Sequence, residues 1–371
     1  MIFIILINKL FKKVYKYSFV NNLFKTQKIY YLKYKMYIDQ EDYTITEKSI
    51  NDTLNSKLPF GIKELIHKGK GGSSIIYEAK INTNNSDVII KVTDKVKNKN
   101  SIYSEIKILN KLNHNNIIKI YGYSVGKDND ISFIMLEKGK CDLRVLLYKF
   151  LNRKILTESF LNYICVQILN GLKYLKKCNV IHHDIKPQNI VINDFIEIKI
   201  IDFSASKDIS NINDKEIKLS YRGTTFYMAP EVIKTKTIKL NDYHKIDLFS
   251  LGVSLYTLAF GEYPFNLKSE DAYNDDIIYN KIMSDWKVKN INGTEYSSHF
   301  INFLNGLLEK NIEKRMNIYE AIDNYWVKGS KILMEEKENI YNANCFLSNL
   351  ITDHFLRFNK YIKSNCLKFL L

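Results

Sequence analysis

Residues 180–206 read VIHHDIKPQNIVINDFIEIKIIDFSAS, and this stretch restricts the fold of the 371-residue chain more than any other. Two short apolar, β-branched runs, Asn189–Ile192 and Ile196–Ile201, flank an Asn-Asp turn. The spacing predicts a hairpin with polar residues at both outer ends. Asp184, Lys186 and Asn189 stand at one end, and Asp202 stands at the other. Two carboxylates, an amide and an ammonium around one hairpin suit a divalent cation and a polyphosphate. Mg²⁺ takes few carboxylate oxygens and completes its shell with phosphate oxygens and water. One Asp is then left to orient a hydroxyl.

The chain is long enough for a two-lobed enzyme with a large core. Its formal charge of +15 is uneven, because residues 1–38 hold eight lysines and no acid, which leaves about +7 for the rest. A mildly basic body suits a polyphosphate ligand and gives no argument for nucleic acid. No run reaches the ~18 apolar residues of a membrane span. Within residues 1–20, Phe3, Ile7, Leu10, Phe11, Val14, Tyr15 and Phe19 fall at helical spacing opposite Lys9, Lys12, Lys13 and Lys16. That pattern predicts a basic amphipathic helix suited to peripheral contact with an anionic membrane surface. It lacks the basic start and small-residue cleavage site of a signal peptide, and Met36 offers an alternative start. The five cysteines (141, 165, 178, 345 and 366) show no paired metal-ligand spacing. They argue against zinc and a disulfide framework, and fit a reducing, cytoplasmic or nuclear setting.

Upstream of the central stretch, GKGGSSIIYEAK at residues 69–80 places Gly69 and Gly71 where backbone amides can approach phosphate oxygens without a Cβ in the way. A strand, Val88–Lys91, follows, and then Ile102, Ile106, Leu109 and Leu112 recur at helical spacing. That helix carries Glu105, which on spacing alone could form either a surface pair or a buried ion pair with Lys91. Ile131–Glu137 reads as a buried strand, and residues 157–178 read as an amphipathic helix with Thr157 as N-cap. Asp242–Phe260 reads as a central hydrophobic helix. Beyond about residue 332, the apolar residues of the tail predict a further helix that packs on the body or on a partner, the body being favoured.

The DIKPQN and DFS segments closely resemble the catalytic and metal-binding loops of the eukaryotic protein kinases, and the resemblance runs over roughly residues 60–330. It implies an α+β fold of two lobes, a β-rich N-lobe (about 60–136) and a larger helical C-lobe (about 140–330), with ATP bound between them. Residues 1–59 are then a basic extension and 331–371 a helical tail. The resemblance implies that Asp184 orients the substrate hydroxyl, Lys186 neutralises the γ-phosphate, and Asn189 and Asp202 hold Mg²⁺. It puts Gly69, Lys70, Gly71, Gly72, Ile76, Ile89, Lys91 and Glu105 at the ATP site. Leu136 becomes the gatekeeper, with the peptide groups of Glu137 and Gly139 as adenine contacts. In the RGTTFYMAPE segment, Thr224 is expected to bridge the catalytic Asp and Lys, with Phe226 and Tyr227 shaping the pocket beside the phosphoacceptor. Glu231 is expected to pair with Arg315, and Asp247 to anchor the catalytic loop. Ser220, Tyr221 and Thr225 are the candidate phosphosites. Lys186 within DIKPQN resembles the serine/threonine branch, so the implied partners are protein substrates with Ser or Thr, and the enzyme is expected to act as a monomer.

The departures from the family pattern carry information. His183 stands where the family has arginine, so the usual cation for an activation-segment phosphate is missing. A neutral imidazole binds such a phosphate weakly, so activity is expected to depend little on phosphorylation of the three candidates. Ser204 replaces the glycine after Asp-Phe, Ser74 replaces the third loop glycine, and Ile89 replaces the alanine that usually leaves room for adenine. The competing reading is a pseudokinase that acts by docking. Against it, Lys91, Glu105, Asp184, Asn189 and Asp202 are all present.

Overall fold

The computed structural model describes residues 47–329, apart from 59–60, 71–73, 94–98, 127–130, 148–155, 194–196 and 290–295. The amphipathic stretch at 1–20, the tail beyond 330, and Gly71 and Gly72 lie outside the described residues. Among the described residues, no helix is long and apolar enough to cross a membrane.

The N-lobe is one antiparallel sheet of five strands in the order β1-β2-β3-β5-β4. These are β1 (Ile62–Lys70), β2 (Ser74–Ile81), β3 (Asp87–Thr93), β4 (Ile120–Ser124) and β5 (Ser132–Glu137). Strand alternation divides its residues between two cores. Val88, Ile90 and Val92 of β3 join Phe133 and Met135 of β5 in a small cluster on one face. Ile89, Ile134 and Leu136 point the other way, into the large cluster that continues into the second lobe. Lys91 shares this second face because it is two residues from Ile89.

The small cluster is closed by helix α1 (Glu47–Lys57), whose Ile50 and Leu54 are fully buried beside Leu58, Ile62 and Tyr77. The segment assigned to the extension on sequence grounds therefore ends in a helix that belongs physically to the N-lobe. Few apolar residues mark it, since EKSINDTLNSK offers only Ile50 and Leu54. Asn55 ties it down by accepting a 2.8 Å hydrogen bond from the Ile62 amide.

Helix α2 (Lys99–Asn110) packs Ile102, Ile106 and Leu109 into the large cluster. The C-lobe then opens with β6 (Cys141–Asp142) and the short α3 (Leu143–Val145), which Asp142 caps by accepting from the Val145 amide at 2.8 Å. Helix α4 (Glu158–Lys177) starts at the expected Thr157 cap, whose Oγ1 accepts from the Phe160 amide at 3.3 Å. The central stretch forms β7 (Val180–Ile181), then a hairpin of β8 (Ile190–Ile192) and β9 (Ile198–Ile200). Asn189 lies in a 3₁₀ turn just before β8 and not in the strand itself.

Strand β10 (Lys207–Asp208) returns to pair with β7, and β11 (Glu216–Lys218) pairs with β12 (Thr237–Lys239) across helix α5 (Pro230–Ile233). Helix α6 runs from Lys245 to Phe260, and Asp242 sits before it in a separate 3₁₀ turn. It is buried nearly all round, so it is the axis of the lobe. Helices α7 (Asp275–Met283), α8 (Ser298–Leu307), α9 (Ile318–Asp323) and α10 (Tyr325–Lys328) complete the lobe. The hairpin also grips the other lobe: the Ile118 amide donates to the Ile200 carbonyl at 3.0 Å, and Asn116 Nδ2 donates to the Ile198 carbonyl at 2.9 Å.

Candidate active site

Lys91 leaves β3 on the face that looks toward the C-lobe, and its ammonium is buried. It donates to both carboxylate oxygens of Glu105, each at 2.9 Å, and to Asp202 Oδ1 at 2.9 Å. One ammonium is thus shared by two carboxylates. Burial alone would push the Lys91 pKa down, but the charges of Glu105 and Asp202 outweigh it and raise the pKa. Burial and the charge of Asp202 push the Glu105 carboxyl up, against the pull of Lys91. Burial also pushes the Asp202 carboxyl up, yet Lys91 and a hydrogen bond from Ser204 hold it well below the usual carboxylate range. Asp202 is therefore a firm anion within reach of solvent.

Asp202 occupies the left-handed region at φ 62° and caps the 3₁₀ turn Phe203–Ala205. Phe203 is buried and meets the His182 ring edge-on, with centroids 4.9 Å apart. The loop between His182 and Asn189 is held from below by Asp247, whose two oxygens accept from the His182 and His183 amides at 2.8 Å each. This is the anchoring role expected for Asp247.

Asp184 shows an asymmetry. Its Oδ2 accepts from Lys186 Nζ at 2.6 Å and from Asn189 Nδ2 at 2.8 Å. Its Oδ1 is buried and has no hydrogen-bond partner among the described residues. Lys186 Nζ also donates to Thr224 Oγ1 at 2.6 Å, so Asp184, Lys186 and Thr224 meet as the sequence predicted. Gly223 makes this approach possible. It sits at φ 99°, and a Cβ there would lie 2.2 Å from the His183 carbonyl oxygen.

Asn189 turns its Nδ2 toward Asp184, where it also donates to the backbone carbonyl at 2.9 Å. Its Oδ1 is left as an acceptor beside the hairpin end that carries Asp202. Among the described residues there is no cluster of three or more His, Cys, Asp or Glu side chains able to hold a metal alone. One carboxylate and one amide oxygen fit a hard cation that draws its other ligands from phosphate and water, so the donor set suits Mg²⁺ in company with a nucleotide.

The side where adenine is expected from sequence is mainly apolar. Ile76 in β2 and Ile89 in β3 lie on neighbouring strands, and Leu136 is buried in the same cleft-side cluster as Ile134. Gly139 presses on Val191 of the C-lobe, where an added Cβ would come within 2.6 Å of its side chain. The Glu137 amide already donates to the Lys119 carbonyl at 2.9 Å, so that N–H is spent within the sheet. Its carboxylate pairs with Lys199 at 3.2 Å, a strut between hinge and hairpin that the sequence did not disclose.

Two further partnerships could not be read from sequence. The first belongs to His183, whose ring is buried and whose Nε2 lies 2.9 Å from the Tyr243 hydroxyl. Burial pushes its pKa down to about 3, so the imidazole is neutral at physiological pH for a stronger reason than its ordinary value. The second belongs to Ser204, whose Oγ donates to Asp202 Oδ1 at 2.8 Å. Ser204 lies outside the left-handed region, so its Cβ brings no strain.

Among the candidate phosphosites, the Tyr221 hydroxyl lies 2.7 Å from Thr225 Oγ1 and donates to Asp275 Oδ1 at 3.0 Å. Ser220 is half-buried nearby. Glu231 and Arg315 form the expected buried fork, at 2.7 and 3.0 Å, with the guanidinium 4.8 Å above the Phe249 ring centroid.

Residues 62–327 match the family model of the protein kinase domain. The chain is 30% identical over 274 residues to serine/threonine-protein kinase dkf-2 of Caenorhabditis briggsae, covering 71% of this chain and 21% of that one. It is 32% identical over 283 residues to serine/threonine-protein kinase dst2 of Dictyostelium discoideum, covering 74% of this chain and 23% of the other. The match thus spans less than a quarter of the length of these two relatives. With a family match over most of its described residues, this chain belongs to the protein kinase family.

Proposed function

We propose that the chain transfers the γ-phosphoryl group of Mg·ATP to serine and threonine hydroxyls of proteins. The observation that carries this reading is the uneven carboxylate of Asp184. Lys186 and Asn189 fix one oxygen, and the other is a buried acceptor without a partner among the described residues, ready for a hydroxyl proton. A buried acceptor is costly to leave unpaired unless something binds there.

Around it the side chains divide the work. Asp184 orients the acceptor hydroxyl and takes its proton. Lys186, tied to Thr224, brings positive charge beside Asp184, where charge builds up on the phosphoryl oxygens. Lys91 holds phosphate oxygens while Glu105 keeps it in place. Asn189 and Asp202 would hold Mg²⁺, which supplies charge neutralisation for the phosphate chain. Ile76, Ile89, Leu136 and Val191 give an apolar bed for the base. Catalysis in such a site rests on positioning and electrostatics. A neutral, buried His183 supports the further reading that activity needs little help from activation-segment phosphate.

The test is transfer from labelled ATP with Mg²⁺ to generic protein substrates, with Asp184→Asn and Lys91→Met run beside the parent and phosphoamino acids identified afterwards. Transfer to Ser or Thr that both substitutions abolish is the expected result. A folded protein that binds no ATP would overturn the reading.

A further inference from the structure

We infer that Ser204 is a positioning residue for the divalent cation: its hydroxyl fixes the Asp202 carboxylate through one oxygen and leaves the other for the metal. This rests on the proposed Mg·ATP site and adds a part the family glycine cannot supply. Asp202 Oδ1 takes Lys91 Nζ at 2.9 Å, Ser204 Oγ at 2.8 Å and the Ser204 amide at 3.4 Å. Among the described residues no donor hydrogen-bonds to Oδ2, and the Asp202 side chain is 38% exposed. Three donors on one oxygen lock the rotation of the carboxylate, so Oδ2 is presented in one direction without ordering cost when a cation arrives.

The geometry also separates this role from a merely structural one. Ser204 is exposed, so truncating it opens no cavity in the core. Its amide still reaches Asp202 when the hydroxyl is removed, and Lys91 still pairs with the carboxylate. The hydroxyl has one opposing effect, because a donor on a carboxylate draws off some of its charge and weakens it as a ligand. The inference is that alignment outweighs this loss.

The experiment titrates the full chain with a fluorescent ADP analogue, once across a range of free Mg²⁺ and once in chelator, for the parent, Ser204→Ala and Ser204→Thr. Ser204→Ala is expected to weaken nucleotide binding about fivefold at low free Mg²⁺, the worth of one net hydrogen bond, and to raise the half-effective Mg²⁺ by a similar factor. Binding in chelator stays within about twofold. Ser204→Thr restores the parent values, and the melting temperatures of all three agree. A Ser204→Ala protein with the parent's Mg²⁺ dependence, or a stronger one, overturns the positioning role alone. A parent whose nucleotide affinity ignores Mg²⁺ overturns both this inference and the proposed site. Loss of binding equally with and without Mg²⁺ overturns the inference by showing a general effect on the pocket.

Discussion

Lys91 and His183 are both buried basic side chains of the candidate site, and they are treated in opposite ways. Lys91 keeps its charge because two carboxylates surround it at 2.9 Å. His183 has a phenol for a partner, and burial holds it neutral with a pKa pushed down to about 3. Near Lys91 the desolvation of a cation is offset by Coulomb attraction, and the same cation is the one proposed to hold the nucleotide. Near His183 burial and the charges of Arg222 and Lys207 outweigh the pull of Asp184, so the position is a piece of packing between the catalytic loop and the segment before α6. A buried cation persists here only where anions are built around it.

Removing the compensated charge should produce the largest change. Lys91→Met is expected to lower phosphotransfer by about 10²–10³-fold, measured as kcat/KM, since it strips a preorganised cation from the phosphate site. Parent-like kcat/KM in this variant would break the comparison at its stronger end. Next comes the buried fork of Glu231 and Arg315, which extends the rule to a purely structural pair. Arg315→Met should cost about 3–5 kcal/mol in urea unfolding, because Glu231 is left buried and unpaired.

The neutral partner is tested by acid. The folded imidazole of His183 titrates near 3, whereas an unfolded one takes its proton near 6.5. Its contribution is therefore complete above pH 6.5 and drains away as pH falls toward the folded value. Between pH 7 and 5 this amounts to about 2 kcal/mol of unfolding free energy. His183→Phe should flatten that slope, and an unchanged slope would show that His183 is not its source. The smallest effect belongs to the activation segment. Replacing Ser220, Tyr221 and Thr225 together by Ala should leave kcat/KM within about threefold. Loss of activity in a variant that still melts normally would show that a phosphate there matters despite His183.

Much of the site was legible in sequence because its parts are local. Asp184, Lys186 and Asn189 lie within six residues, and a hairpin brings Asp202 to them. Periodicity puts Glu105 on a helix, but its pairing with Lys91 was legible only from the order of glycine loop, strand lysine and helix glutamate that resembles the family. The illegible contacts are those made by residue types with no single preferred partner. Tyr243 is 60 residues from His183, and nothing in a tyrosine announces a histidine. Lys199 and Glu137 are each unremarkable alone and meet only because the hairpin lies under the hinge. Ser204 was read for its Cβ, while its consequence lies in its hydroxyl. The sequence pattern starts the central helix at Asp242, three residues before its actual start at Lys245, because Asp242 and its neighbours look helical but form a separate turn.

Helix α1 gives this kinase two different edges. The match to the family model begins at residue 62, yet among the described residues the first buried side chain of the N-lobe is Ile50. A fragment cut at the similarity edge would bare the apolar face that Ile50, Leu54 and Leu58 now cover, in the lobe that must hold Lys91 steady. The smallest piece able to keep the Lys91 strand in register is thus longer than the piece the family model defines.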